Sequence, residues 1–383
     1  MQERLCSLYF HIPFCTRKCI YCDFYSIEGV NSFDSFLESL HSEIDLVVPP
    51  EGMVVSSLFF GGGTPSLLPA SDVRKILDHV RQKYELSADA EITLESNPGT
   101  LDPDTLCGFR ESGINRLSIG IQSFDESELA FLGRIHDVSQ AVRAVRDARE
   151  ARFSNVSIDL IYSLPRQTLE SWRKTLLRAI DLNPDHISAY SLIVEENTPL
   201  SRLVRTGQVT PLPVETEARF FDETVHLLAS SGYEQYEVSN FAKPGFRSVH
   251  NMSYWQHRNY IGFGPSAHSF WSDRATGTAR RWWNIANVGN YADRLKRAML
   301  PIAGEETLSS ETLMVERLFL GLRSGGVDLH RFRADFGEHT LARQESLISE
   351  LLRNNLVTLD DGTLRSTTRG YLLCDEMSAR LTA

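Results

Sequence analysis

The sequence has no apolar run approaching the ~18 residues that a membrane-spanning helix needs, which argues against an integral helical membrane protein. It also lacks any block of like charge. With Lys+Arg 39 against Asp+Glu 50 the net charge is −11, so binding of nucleic acid through phosphate neutralisation is not expected. No low-complexity segment interrupts the chain, and 42% hydrophobic with 23% charged residues is ordinary for a globular protein that buries a sizeable core. The first residues show no secretory-signal pattern, because strand-like sequence begins within them, and a cytoplasmic protein is expected. Cysteine is scarce: Cys6, Cys15, Cys19, Cys22, Cys107 and Cys374 are all there is in 383 residues. A disulfide framework is therefore disfavoured. Three of the six crowd into the stretch from Cys15 to Cys22, which suits a metal or redox role.

What is present is a regular alternation. Strand-like runs fall at 5–12, 55–60, 91–95, 116–122, 157–162 and 186–194, with helix-patterned segments such as 33–47, 72–84 and 139–151 between them. The last places Ala141, Val142, Ala144, Val145 and Ala148 on one helical face. Repeated strand–helix units predict an α/β fold, a partial (β/α) barrel of about six parallel units with helices outside. The chemically unusual residues sit at or just after the carboxyl ends of those strands, the face on which such folds build their sites. The cysteine triplet follows the first run, Gly61-Gly62-Gly63-Thr64-Pro65 the second, Glu95 closes the third and Gln122 the fourth, and Asp159 lies in the fifth.

Past residue 195 the pattern changes. Pro199, Pro211 and Pro213 punctuate a connection, a helix is predicted over 216–230, and an aromatic stretch with His250, His257 and His268 runs from 233 to 283. Two helical segments, 311–321 and 341–354, precede an alternating run around Asp361-Gly362 that predicts a hairpin over 356–365. Helix, helix and hairpin suggest a small winged-helix-like unit. The expected divisions are 1–200 for the barrel core, 201–304 for its extension and 305–383 for the C-terminal unit.

Cys15-x-x-x-Cys19-x-x-Cys22 is the strongest chemical signal. Three thiolates from one loop can hold three irons of a 4Fe–4S cluster and leave the fourth open to a ligand. A zinc site is the alternative, although it would want a fourth ligand, and His11 lies across Pro13 in the strand. The consecutive glycines at 61–63 let backbone approach a ligand and leave peptide N–H groups free to bond it, or simply make a tight turn.

Together the triplet, with Tyr21 before its last cysteine, and the glycine loop resemble the radical S-adenosylmethionine (SAM) superfamily. The likeness continues through Tyr9-Phe10-His11-Ile12-Pro13-Phe14-Cys15, Leu94-Glu95-Ser96-Asn97-Pro98, the run from Arg116 to Phe124, Leu132-Gly133-Arg134 and Ile158-Asp159-Leu160. These motifs resemble the branch that holds the HemN oxygen-independent coproporphyrinogen III oxidases and the HemW-type haem chaperones. The resemblance implies a 4Fe–4S cluster on Cys15, Cys19 and Cys22, and SAM held by Tyr9, Gly62, Gly63, Thr64, Glu95, Gln122, Arg134 and Asp159. In physical terms Glu95 and Asp159 can accept from an ammonium or ribose hydroxyls, and Arg134 can clamp a carboxylate, unless it is a solvated surface charge.

Two features separate the branches. The decarboxylating oxidases carry a further cysteine two residues after the triplet, where this chain has Phe24. The chaperones carry an HNxxYW motif, present here as His250-Asn251-Met252-Ser253-Tyr254-Trp255. The resemblance therefore implies haem as a further ligand, with His250 offering imidazole to iron and Tyr254 and Trp255 packing the porphyrin. His257 and His268 read as structural, and no C-x-x-C-H motif indicates c-type attachment. The expectation is a haem chaperone with haem-accepting partners, membrane-associated respiratory enzymes among them, and an electron donor to the cluster. The alternative is a coproporphyrinogen oxidase. A nucleic-acid role for the winged unit is disfavoured by charge.

Overall fold

The computed structural model describes residues 5–29, 33–273, 276–338, 340–341 and 344–382. Its centre is a twelve-stranded sheet. In chain order the strands are β1 (Leu5–Ile12), β2 (Val54–Gly62), β3 (Glu85–Ser96), β4 (Arg116–Gln122), β5 (Val156–Tyr162), β6 (His186–Ser191), β7 (Glu234–Gln235), β8 (Asn240–Ala242), β9 (Tyr260–Phe263), β10 (His268–Asp273), β11 (Thr278–Asn284) and β12 (Ile302–Leu308). Strands β1 to β6 lie side by side, all parallel, in sequence order. This is the expected set of six. A seventh parallel strand, β9, pairs with the free side of β1. It was not foreseen, because four residues in an aromatic, glycine-containing stretch carry no readable period. Antiparallel strands extend both edges, β10 to β12 beyond β9 and β8 with β7 beyond β6, so the sheet is an open, partial barrel. The segment expected as an extension thus supplies strands to the same sheet.

Each parallel strand has two unlike faces. Residues such as Leu8, Phe10, Leu58, Phe60, Leu94, Ile119 and Ile158 are fully buried and pack on helical residues including Phe36, Ile76, Val145 and Trp172. Phe10 stacks between Phe60 and Phe263 on the two neighbouring strands, at 5.0 and 5.1 Å. Burial of each such ring contributes about 2 kcal/mol, and this aromatic ladder fixes the register that the site above it requires. The covering helices begin where their caps dictate. Asp102, Asp137 and Thr168 each accept a backbone N–H at the start of Pro103–Ser112, Val138–Glu150 and Leu169–Asp181.

The alternate residues face the barrel interior and are polar. The pairing sets Glu95 opposite Ser118, Gly120 opposite Asp159, and Asp159 opposite Ser188. A period of two therefore gives one apolar face for the helices and one polar face for a lumen.

The C-terminal unit has its own core, built on Leu318, Leu322, Phe332, Leu351 and Leu364. Its helices Ser310–Leu322, Leu329–Phe336 and Glu345–Arg353 surround a three-stranded sheet of β13 (Val327–Asp328), β14 (Val357–Asp360) and β15 (Thr363–Ser366). The hairpin turns at Asp361 and Gly362, φ 47° and 74°, the pair of left-handed residues a tight two-residue turn requires. Of the segment expected as a helix over 341–354, residues 342 and 343 lie outside the described ones. The helix Leu329–Phe336 was not anticipated.

Candidate cluster and cofactor site

A cavity of about 460 Å³ opens at the carboxyl ends of β1 to β6. Its walls hold Cys15, Cys19 and Cys22, Gly62, Gly63 and Thr64, and Glu95, Gln122, Arg134 and Asp159. Segments more than a hundred residues apart thus converge as expected, with one exception. Tyr9 is not in the wall. It lies behind, its ring stacked on Phe59 at 6.2 Å and its hydroxyl 3.2 Å from Nδ1 of His11.

The cysteine loop leaves β1 through a short parallel pairing of Phe14–Cys15 with Ile27–Glu28. Cys22 N–H donates to the Cys19 carbonyl, which folds the last two cysteines into one turn. Thr64 Oγ1 donates to Cys15 Sγ at 3.6 Å, and Arg134 Nη1 to Cys19 Sγ at 3.5 Å. These two contacts tie the cysteine loop to the neighbouring wall of the cavity. Among the described residues no three His, Cys, Asp or Glu side chains converge on a single ion. The nearby His11 is taken, its Nε2 bonded to the Tyr25 carbonyl at 2.7 Å. A zinc site would lack its fourth ligand here, whereas three thiols lining one open cavity fit a cluster with one cysteine per iron.

The glycine loop works differently from expectation. Its peptide N–H groups are not free: Gly62 donates to Glu95, Gly63 to the Ile12 carbonyl at 2.8 Å, and Thr64 to the Phe14 carbonyl at 2.7 Å. A Cβ on Gly63 would stand 2.6 Å from the Phe14 oxygen, and one on Gly62 would strike the His11 ring. Gly62 also has φ +107°. Glycine is thus required by close packing on the segment that leads into Cys15. The loop couples the cofactor cavity to the cluster loop.

Glu95 and Asp159 are both partly buried in the cavity wall. Burial, then the Asp159 charge, pushes the Glu95 carboxyl up to about 8, while the Gly62 N–H opposes this. Burial also raises Asp159, against hydrogen bonds from Ser188 at 2.7 Å and Ser118 at 3.2 Å. Arg134 is no surface charge. Its Nη2 donates to the Gly120 carbonyl at 2.6 Å, and its Nε is buried without a partner among the described residues. Gln122 takes φ 70° at a bulge in the β4–β5 pairing, a costly backbone for a non-glycine residue that marks a functional turn. Reading the sequence missed Arg116, Ser118, Ser188, Tyr190 and Asn251, all in the wall. The first two alternate with Leu117 and Ile119, so a period-two reading of β4 would have found them.

The HNxxYW motif forms the helix Val249–Trp255, which contacts β1 and β2 and closes the lower end of the lumen. Glu91 accepts the N–H groups of Val249 and His250 at its start. His250 is 1% exposed. Ser57 Oγ lies 3.0 Å from its Nδ1 and donates to Ser7, so Nδ1 carries the proton and Nε2 accepts from the Tyr254 hydroxyl, also at 3.0 Å. Both nitrogens are thereby used, and burial followed by the Arg116 charge lowers the imidazole to about 3. The expectation that His250 offers nitrogen to iron is not met in this conformation: it is a neutral, fully bonded core histidine. Tyr254 is its partner, packed edge-on against Tyr260 at 4.6 Å. Only Asn251 of the motif faces the cluster cavity, and Trp255 faces a separate one.

A parallel-strand partial barrel with a three-cysteine loop and this cavity defines a radical SAM protein, and residues 9–179 match the Radical SAM superfamily. Residues 308–373 match the HemN C-terminal domain. The chain is 34% identical to the "Heme chaperone HemW" of Bacillus subtilis (strain 168), over 97% of each chain. It is 42% identical to the protein of that name from Escherichia coli (strain K12), over 68% of this chain and 69% of the other. It belongs to the HemW family. A solved structure, described as coproporphyrinogen III oxidase (HemN) from Escherichia coli, superposes with a TM-score of 0.85 and 26% identity, covering 100% of this chain and 91% of that one. Membership of the superfamily implies a 4Fe–4S cluster and SAM. No helix among the described residues is long and apolar enough to cross a membrane.

Proposed function

We propose that this chain is a haem chaperone of the cytoplasm, which carries a 4Fe–4S cluster and SAM, takes up haem and passes it to acceptor proteins, membrane-associated respiratory enzymes among them. The whole-length likeness to relatives named as haem chaperones carries the reading. In it Cys15, Cys19 and Cys22 hold the cluster, and Gly62, Gly63, Thr64, Glu95, Gln122, Arg134 and Asp159 surround SAM, with Tyr9 supporting from behind Phe59. The bound pair would supply one-electron chemistry fed by an external donor. The chain's own part is to bind and shield. Glu95 and Asp159 present acceptors, Arg134 steadies Cys19, and Ile161 and Leu192 supply apolar wall beside the polar groups.

The oxidase reading draws on the structural likeness to the Escherichia coli enzyme. Phe24 favours the chaperone. It lies at the cavity, 64% exposed, where the decarboxylating branch resembles this sequence except in placing a cysteine. The test is anaerobic reconstitution, with iron and sulfide counted, then haem titration and product analysis for coproporphyrinogen on one sample. Haem binding without decarboxylation is expected, and Cys19→Ser should abolish the cluster. Steady protoporphyrinogen formation would overturn the chaperone in favour of the oxidase.

A further inference from the structure

Arg116 opens β4, and the period of two that turns Ser118 toward the lumen turns Arg116 there as well. It is 2% exposed. Its Nε is buried without a partner among the described residues, and its closest carboxylate, Glu91, stands 3.9 Å away. Glu91 is engaged elsewhere. It accepts from the Ser248 hydroxyl at 3.3 Å and from the N–H groups of Val249 and His250 at 3.1 and 3.0 Å. The start of the HNxxYW helix thus takes up the Glu91 charge, and Arg116 is left as a buried guanidinium with no tight partner. A charge held out of water at such cost acts strongly on whatever faces it.

Two acids do. Glu95 on β3 and Asp159 on β5 line the same cavity, and each carboxylate raises the cost of ionising beside the other. Arg116 opposes that rise in both. Arg134, from the cluster end, does so for Asp159. The other titratable groups are silent. Burial, then Arg116, lowers His186 and His250, which stay neutral. The phenols of Tyr9 and Tyr254 facing Glu95, of Tyr190 facing Asp159 and of Tyr236 beside Arg116 are pushed up by burial and stay uncharged. A direct ion pair would occupy the acids' oxygens. Arg116 forms none with either, so it favours their charge and leaves them free for a ligand.

We propose that Arg116 is a positioning residue for SAM: a fixed cation at the base of the lumen that keeps Glu95 and Asp159 ionised together, so that both can receive the cofactor's sulfonium and ammonium groups. This rests on the reading that SAM occupies the cavity. Without Arg116 the two acids share a proton, and one of them meets the cofactor uncharged.

The test compares wild type, Arg116→Met and Arg116→Lys in two measurements. In the cluster-free chain, NMR titration of the Glu95 carboxyl carbon, assigned with Glu95→Gln, should give a midpoint about one pH unit higher in Arg116→Met and restored in Arg116→Lys. In the reconstituted protein, calorimetry should find SAM bound about tenfold more weakly by Arg116→Met near about pH 7. That deficit should shrink as pH rises to about 9, because both acids then ionise unaided, whereas a merely structural defect persists at every pH. Iron content reports folding, and Arg116→Gln replaces the Met variant if that chain does not fold. An unmoved Glu95 midpoint in Arg116→Met, a deficit independent of pH, or failure of Arg116→Lys to restore the midpoint overturns the proposal. Absence of SAM binding by the wild type instead overturns the SAM reading of the cavity.

Discussion

His250→Ala separates a structural role from a ligand role, and its expected magnitude follows from the contacts. The substitution removes a side chain that is 1% exposed, its hydrogen bonds to Ser57 and Tyr254, and its stacking on Phe59 at 4.7 Å. Ser57 keeps its bond to Ser7, but the Tyr254 hydroxyl loses its partner. The two bonds contribute about 1 kcal/mol each. The cavity adds about 1 kcal/mol more, for a total of about 3 kcal/mol. Urea unfolding of the cluster-free protein, with Tyr254→Phe as the one-bond comparison at about 1 kcal/mol, measures this. The pH dependence offers a second readout. The native state holds the imidazole neutral down to about 3, whereas the unfolded chain takes up that proton near 6.5. Stability is then lost as pH falls below 6.5, and the loss stops near 3. His250→Ala should flatten this slope. If the variant keeps wild-type stability yet loses haem, the buried network is not the resting state of His250, and the iron returns to it.

Two further outcomes follow from the cavity. Gly63→Ala should impair both SAM binding and cluster assembly, because its Cβ meets the Phe14 oxygen at 2.6 Å; calorimetry together with an iron count checks this, and a variant retaining full cluster would mean that the two loops are uncoupled. SAM affinity should rise with pH up to about 8, where Glu95 ionises in the empty cavity, and fall about tenfold per unit below it. Glu95→Gln should bind weakly with little pH dependence, and pH-independent wild-type affinity would remove Glu95 from ligand contact.

The sequence by itself determined the alternation of strands and helices, and with it the six central parallel strands, because apolar periodicity and caps are local properties. It also determined that the cysteines, Glu95, Gln122 and Asp159 share one face, since parallel β/α units bring their strand ends together. Tertiary structure decided what those residues meet. Gly63 is glycine because of the Phe14 carbonyl, 49 positions earlier in the chain, and Arg134 is held in the cavity wall because Cys19 and Gly120 converge on it. The fate of His250 was least legible. A motif of six residues carries its chemistry, but whether an imidazole faces solvent or a lumen depends on Ser57 and Glu91, more than 150 residues away in sequence. Contacts of that range leave no period in the sequence, and it is they that separate a ligand from a plug.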